Sequence, residues 1–123
     1  MRTLAVLIAG LALVAGCGEE EGFGTTDPYA QLVVRVDPDG EGGKAPKRTE
    51  VDCDTADSAP CAGLSDDVFE PTPRGTACTQ QFGGPETATV TGTFDGRQID
   101  AEYSRANGCE IARWEKAAPL LSP

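Results

Sequence analysis

The sequence contains no histidine, and it sets only 10 lysine and arginine residues against 20 aspartate and glutamate residues. Without histidine there is no serine or cysteine triad of the common type and no His-ligated metal. A formal net charge of −10 repels phosphate backbones, which excludes nucleic acid as a partner. Nothing here implies an enzyme, a cofactor or a metal. Large apolar residues are scarce as well. Residues 17–123 hold 16 Leu, Ile, Val and Phe in 107 positions, with 9 basic and 20 acidic side chains. A content below a fifth, at that charge, normally leaves a chain disordered, because too little apolar surface is buried to offset chain entropy. Covalent cross-linking is the ordinary escape, and the five cysteines supply it. At 123 residues the ceiling is one ordinary domain.

The apolar residues that are present are concentrated at the start. After the basic Met1-Arg2-Thr3, residues 4–16 form an unbroken run of 13. That is shorter than the ~20 residues a membrane-spanning helix needs, and it matches the core of an export signal. Val14-Ala15-Gly16-Cys17 then resembles the bacterial lipobox, in which the cysteine is diacylglycerol-modified and becomes the new N-terminus. A plain secretory signal with a coincidental cysteine is the alternative. The expected organisation is a signal peptide over 1–16, a lipidated N-terminus and solvated tether over 17–28, a folded domain over 29–118 and a tail over 119–123. The expected location is outside the cell, tethered to the outer face of the membrane through Cys17 alone.

Cys53, Cys61, Cys78 and Cys109 remain, and an even number in an exported, core-poor domain implies two disulfides with three possible pairings. Spacings of 8, 17 and 31 contain no Cys-x-x-Cys knuckle, so zinc is disfavoured. For the pairing Cys53–Cys61 and Cys78–Cys109, loop closure gives about 2.6 and about 3.7 kcal/mol, comparable to the whole stability of a marginal domain.

Residues 31–37 read as a strand, followed by a turn at 38–43, and Thr49 to Cys53 read as a second strand. Asp37-x-Asp39-Gly40 begins like a calcium loop, but Arg48 stands where the bidentate glutamate belongs, leaving a plain turn. Ser65 is placed to cap a short helix over 65–70 that ends at Pro71 and Pro73. Asp95-Gly96 signals a two-residue hairpin joining 87–94 to 97–103. In that register Ala88, Val90, Gly92 and Phe94 share a face with Tyr103, Ala101, Ile99 and Arg97, and threonines line the other. Cys109 to Glu115 is read as a fifth strand. The expected class is α+β: a five-stranded antiparallel sheet with one or two short helices packed on one face, and two disulfides.

Residues 72–84, bounded by Pro71 and Pro85 and pinned at Cys78, have no helical period. Such a segment is either a tacked-down surface loop or a rigid strand presented to a partner's cleft, as protease substrates are. From about Tyr29 to Trp114 the chain resembles the subtilisin-inhibitor-like family of exported actinobacterial serine-protease inhibitors. The resemblance rests on Tyr29-Ala30 before Leu32-Val33-Val34, four cysteines in order, Phe82 four residues after Cys78, Val90-x-Gly92-x-Phe94-x-Gly96-Arg97-x-Ile99, and Asn107-x-Cys109-Glu110.

It implies bridges Cys53–Cys61 and Cys78–Cys109, a homodimer through sheet faces, and a reactive loop after Cys78. In that loop Thr79 precedes Gln80, Gln80 enters the specificity pocket, Gln80–Gln81 is the scissile bond presented, Phe82 takes the aromatic place and Asn107 supports the loop by hydrogen bonding. The family favours Met, Lys or Arg in the pocket position, whereas this chain has Gln80. The implied partner is a subtilisin-class serine protease. The competing expectations are a non-inhibitory cell-envelope lipoprotein that uses the fold as a binding module, and an acyl-donor role for Gln80-Gln81.

Overall fold

The computed structural model describes residues 27–122, so the expected export signal, Cys17 and most of the expected tether lie outside the described residues. Four strands form one antiparallel sheet: β1 (Ala30–Asp37), β2 (Lys47–Cys53), β3 (Thr87–Phe94) and β4 (Arg97–Tyr103), in the order β2-β1-β3-β4. A single 3₁₀ turn spans Asp66–Phe69, and two helices follow the sheet, α1 (Gly108–Lys116) and α2 (Ala118–Leu121).

The hairpin register is the expected one, Ala88 opposite Tyr103 through Phe94 opposite Arg97. Its turn places Asp95 at φ 47° and Gly96 at φ 74°, the doubly left-handed turn whose twist suits a two-residue hairpin. Period-two alternation then segregates the two faces. Leu32, Val34, Val51, Val90, Phe94, Ile99, Ala101 and Tyr103 are buried on one side, and the intervening polar residues stay on the other. The apolar side is covered by Val68 and Phe69 of the 3₁₀ turn and by Ala117, Leu120 and Leu121. Phe94 sits at the centre, with the rings of Tyr29 and Phe69 each edge-on to it at 5.0 Å. The expected pairings Cys53–Cys61 and Cys78–Cys109 are both formed.

Three expectations are corrected. The sheet has four strands, not five, because Cys109 to Glu115 is helical. Asn107, itself extended, accepts a hydrogen bond from Glu110 N at 3.0 Å and so caps a helix. Glu110 in the first turn and Arg113 and Lys116 in the last both suit the helix dipole. The helix expected over 65–70 is shorter, and Ser65 does not cap it. Its hydroxyl donates instead to the carboxylate of Asp67. The domain also does not end at 118, since Leu120 and Leu121 of the supposed tail are buried in the core.

Candidate functional site

The long connection between the 3₁₀ turn and β3, residues 70–86, contains neither helix nor strand. Thr79, Gln80, Gln81 and Phe82 are all exposed, and Cys78 is half-buried at its bridge. Phe82 is 69% exposed, the one large hydrophobic side chain left in solvent among the described residues. A single exposed ring is ordinary on a protein surface, and here it lies on the same exposed stretch as Gln80 and Gln81.

What fixes this loop is helix α1, which lies beneath it and contributes anchors at positions 108, 109, 110 and 113. Gly108 N donates to Thr79 O at 3.1 Å. Cys109 is bonded to Cys78, with their Cα atoms 5.3 Å apart. Glu110 accepts from the Thr72 hydroxyl at 2.8 Å. Arg113 donates from Nε to Glu70 O and from Nη1 to Glu102 O, both at 2.9 Å, tying the loop's entry to β4. The same Nη1 lies 2.8 Å from Glu110, in an ion pair whose side chains are only 13% and 20% exposed. On the far flank Gly83 N donates to Arg105 O at 2.7 Å.

Close approach is what makes this bed possible. A Cβ at position 108 would stand 1.9 Å from the Thr79 hydroxyl, so only glycine lets the helix start press against the loop. The Arg113 guanidinium also lies 4.8 Å from the ring centre of Tyr103, and the Tyr103 hydroxyl donates to Val68 O at 2.8 Å. Burial pushes the Tyr103 phenol up to about 12, the nearby Arg113 charge opposing the shift.

The structure thus brings together Cys78, Thr79, Gln80, Gln81 and Phe82 on one exposed, cystine-bonded stretch, with Asn107 and Cys109 under it. Asn107 does not reach the loop by the side-chain bond expected of it. Its carboxamide oxygen is spent on the helix cap, and the adjacent Gly108 amide makes the contact to Thr79. Sequence reasoning missed Gly108, Glu110 and Arg113. The signal was present, since Asn107-x-x-Glu110 is the spacing of a capping box, and a helix starting there lines up residues 109, 110 and 113 on one side.

The Asp37-Asp39 turn carries no comparable arrangement. Asp37 accepts from the amides of Asp39, Gly40 and Gly42 at 3.0–3.2 Å, so its oxygens are spent on the turn itself. Among the described residues no cluster of side chains could hold a metal ion, and no helix is long and apolar enough to cross a membrane. The chain matches no family model, no curated protein and no solved structure.

Proposed function

We propose that this protein inhibits subtilisin-class serine proteases by occupying their cleft as a substrate would, with residues 78–82 as the inserted segment. The observation that supports the reading is the combination at one place of exposure at Thr79 to Phe82 and restraint by the Cys78–Cys109 bridge and the Thr79 and Gly83 backbone bonds. A segment pre-set in shape pays little ordering entropy on binding, and after cleavage its ends stay together and religate. Gln80 enters the specificity pocket and Gln80–Gln81 is the bond presented. A glutamine cannot neutralise the carboxylate at the base of a trypsin-type pocket, so the target has a broad, apolar pocket. Seating the primary amide there costs about 1–3 kcal/mol if it is unpaired.

The test is a titration of residues 18–123 against subtilisin, trypsin and chymotrypsin. Stoichiometric inhibition of subtilisin is expected, with potency raised by Gln80→Met and preference moved toward trypsin by Gln80→Lys. If neither the parent nor either variant inhibits any of the three, the reading fails and a non-inhibitory binding module takes its place.

Export with lipid attachment at Cys17 belongs to the same proposal. Labelling with a radioactive fatty acid checks it, the label being lost in Cys17→Ala. A homodimer would have to meet through the uncovered sheet face. That face carries Arg35, Arg48, Glu50, Asp52, Asp100 and Glu102, all exposed, so an interface there brings charges together and responds to salt. Sedimentation at two ionic strengths reads it directly.

A further inference from the structure

The two bridges divide the chain unequally. Cys53–Cys61 closes one covalent ring and Cys78–Cys109 another, and residues 62–77 lie in neither. A break anywhere in 79–108 leaves the two halves joined through sulfur. A break in 62–77 leaves two pieces with no covalent link, and a break between 70 and 77 leaves β1, β2 and the 3₁₀ turn on one and residues 78–82, β3, β4, α1 and α2 on the other. The seam between the pieces is the β1–β3 ladder at the middle of the sheet together with the packing of Phe69 on Phe94 and the bonds of Tyr103 to Val68, Arg113 to Glu70 and Glu110 to Thr72.

Within that unprotected stretch stands Arg74-Gly75. Both residues are exposed, and no hydrogen bond or ion pair of the Arg74 side chain occurs among the described residues. They form the centre of a small turn in which the amide and hydroxyl of Thr76 both donate to Pro73 O, at 3.2 and 2.7 Å. Nothing lies within 4 Å of where a Gly75 side chain would begin. Opening this turn into the extended form that a protease cleft accepts therefore breaks little.

The other basic residues are better guarded. Lys44 lies in a loop laced to Asp37 and Asp39. Arg35, Lys47, Arg48 and Arg97 are in strands, and Arg113 and Lys116 are in α1. Arg105 is backed by Glu86 at 3.8 Å and by the Trp114 ring.

We infer that Arg74–Gly75 is a cleavage site at which an arginine-directed serine protease of trypsin type dismantles this protein. The step is hydrolysis: water adds across the Arg74–Gly75 peptide bond, leaving a carboxylate on Arg74 and a free amine on Gly75. Only six residues separate the two exposed bonds, and their fates are opposite. Cleavage at Gln80–Gln81 is survivable, whereas cleavage at Arg74–Gly75 separates the sheet halves. The inference rests on the proposed inhibitory loop for one consequence only, that the cut ends inhibition.

The full chain, purified with its disulfides intact, is treated with trace trypsin. On a non-reducing denaturing gel the first products expected are two separate bands ending at Arg74 and beginning at Gly75. The product loses its far-ultraviolet strand signal. Arg74→Gln abolishes the cut and Arg74→Lys retains it. A first cut at Lys44 overturns the inference, as does resistance of the 74–75 bond or a cut product that keeps its sheet. An intact chain that never inhibits subtilisin defeats the earlier reading alone, because the gel and the spectrum are scored without reference to inhibition.

Discussion

Two loops of this protein are held in opposite ways. Residues 38–46 are organised from within, with the carboxylates of Asp37 and Asp39 collecting the amides of the next few residues. Against the opposing effect of burial, the hydrogen bond with Asp37 and then those from the Glu41, Lys44 and Gly43 amides hold the Asp39 carboxyl below its usual range. Residues 70–86 are organised from outside, by a helix that begins more than twenty positions later. The first loop is tied chiefly by its own side chains, with Gly40 close against Pro85 O, while the second is tied chiefly to α1 and to Arg105. A loop held by its own side chains is a connection, and a loop held by a scaffold is free to offer its side chains to something else.

Removing the bridge tests the contrast most severely. Cys78→Ser with Cys109→Ser is expected to cost about 3.7 kcal/mol in denaturant unfolding, on the loop-closure model. Rapid proteolysis should appear within 70–86 and not within 38–46. Gly108→Ala forces the helix start away from Thr79, and overpacking of that kind costs about 1–3 kcal/mol. Amide exchange at Gly108 and Gly83 should accelerate while Gly40 and Gly42 stay unchanged. Glu110→Gln, which weakens the half-buried pair with Arg113, is expected to cost about 1.5 kcal/mol, again with faster exchange confined to the long loop. The converse substitution, Asp37→Ala, should free the amides of 39–42 at a cost of about 0.5–1 kcal/mol and leave subtilisin inhibition untouched.

A last effect, confined to alkaline solution, is on pH dependence. Tyr103, under the Arg113 anchor, has its folded pKa raised above the ordinary 10.0 to about 12, so its contribution is fully present below pH 10 and is lost as pH rises through that interval. Unfolding midpoints measured across that range should fall for the parent and flatten for Tyr103→Phe.

The parts of the fold that were legible in the sequence are those determined locally. Asp95-Gly96 fixes the hairpin because both residues tolerate a left-handed backbone, and alternation around Val90 and Ile99 fixes which face is buried. The exposed stretch from Cys78 to Phe82 was likewise legible from its cysteine, its prolines and the lack of any period. The misread segment is instructive. Cys109 to Glu115, read from the sequence as a fifth strand, contains one β-branched residue, Ile111. Its helix is dictated by Asn107 at the cap and by Ala112, Arg113, Glu115 and Lys116, all tolerant of or favouring helix. The loop's dependence on Glu110 and Arg113 could not be read at all, because it arises from two segments that meet only in the folded molecule.

The placement of α1 also sets a chronology. Residues 70–86 are synthesised before residues 105–116, yet the anchors of the segment, sulfur included, come from that later piece. While the chain is still being made, or threaded through a pore in N-to-C order, that stretch has no fixed form and can be neither a tight ligand nor a resistant one. It acquires its contour late, when residues 105–116 arrive and the second cystine closes.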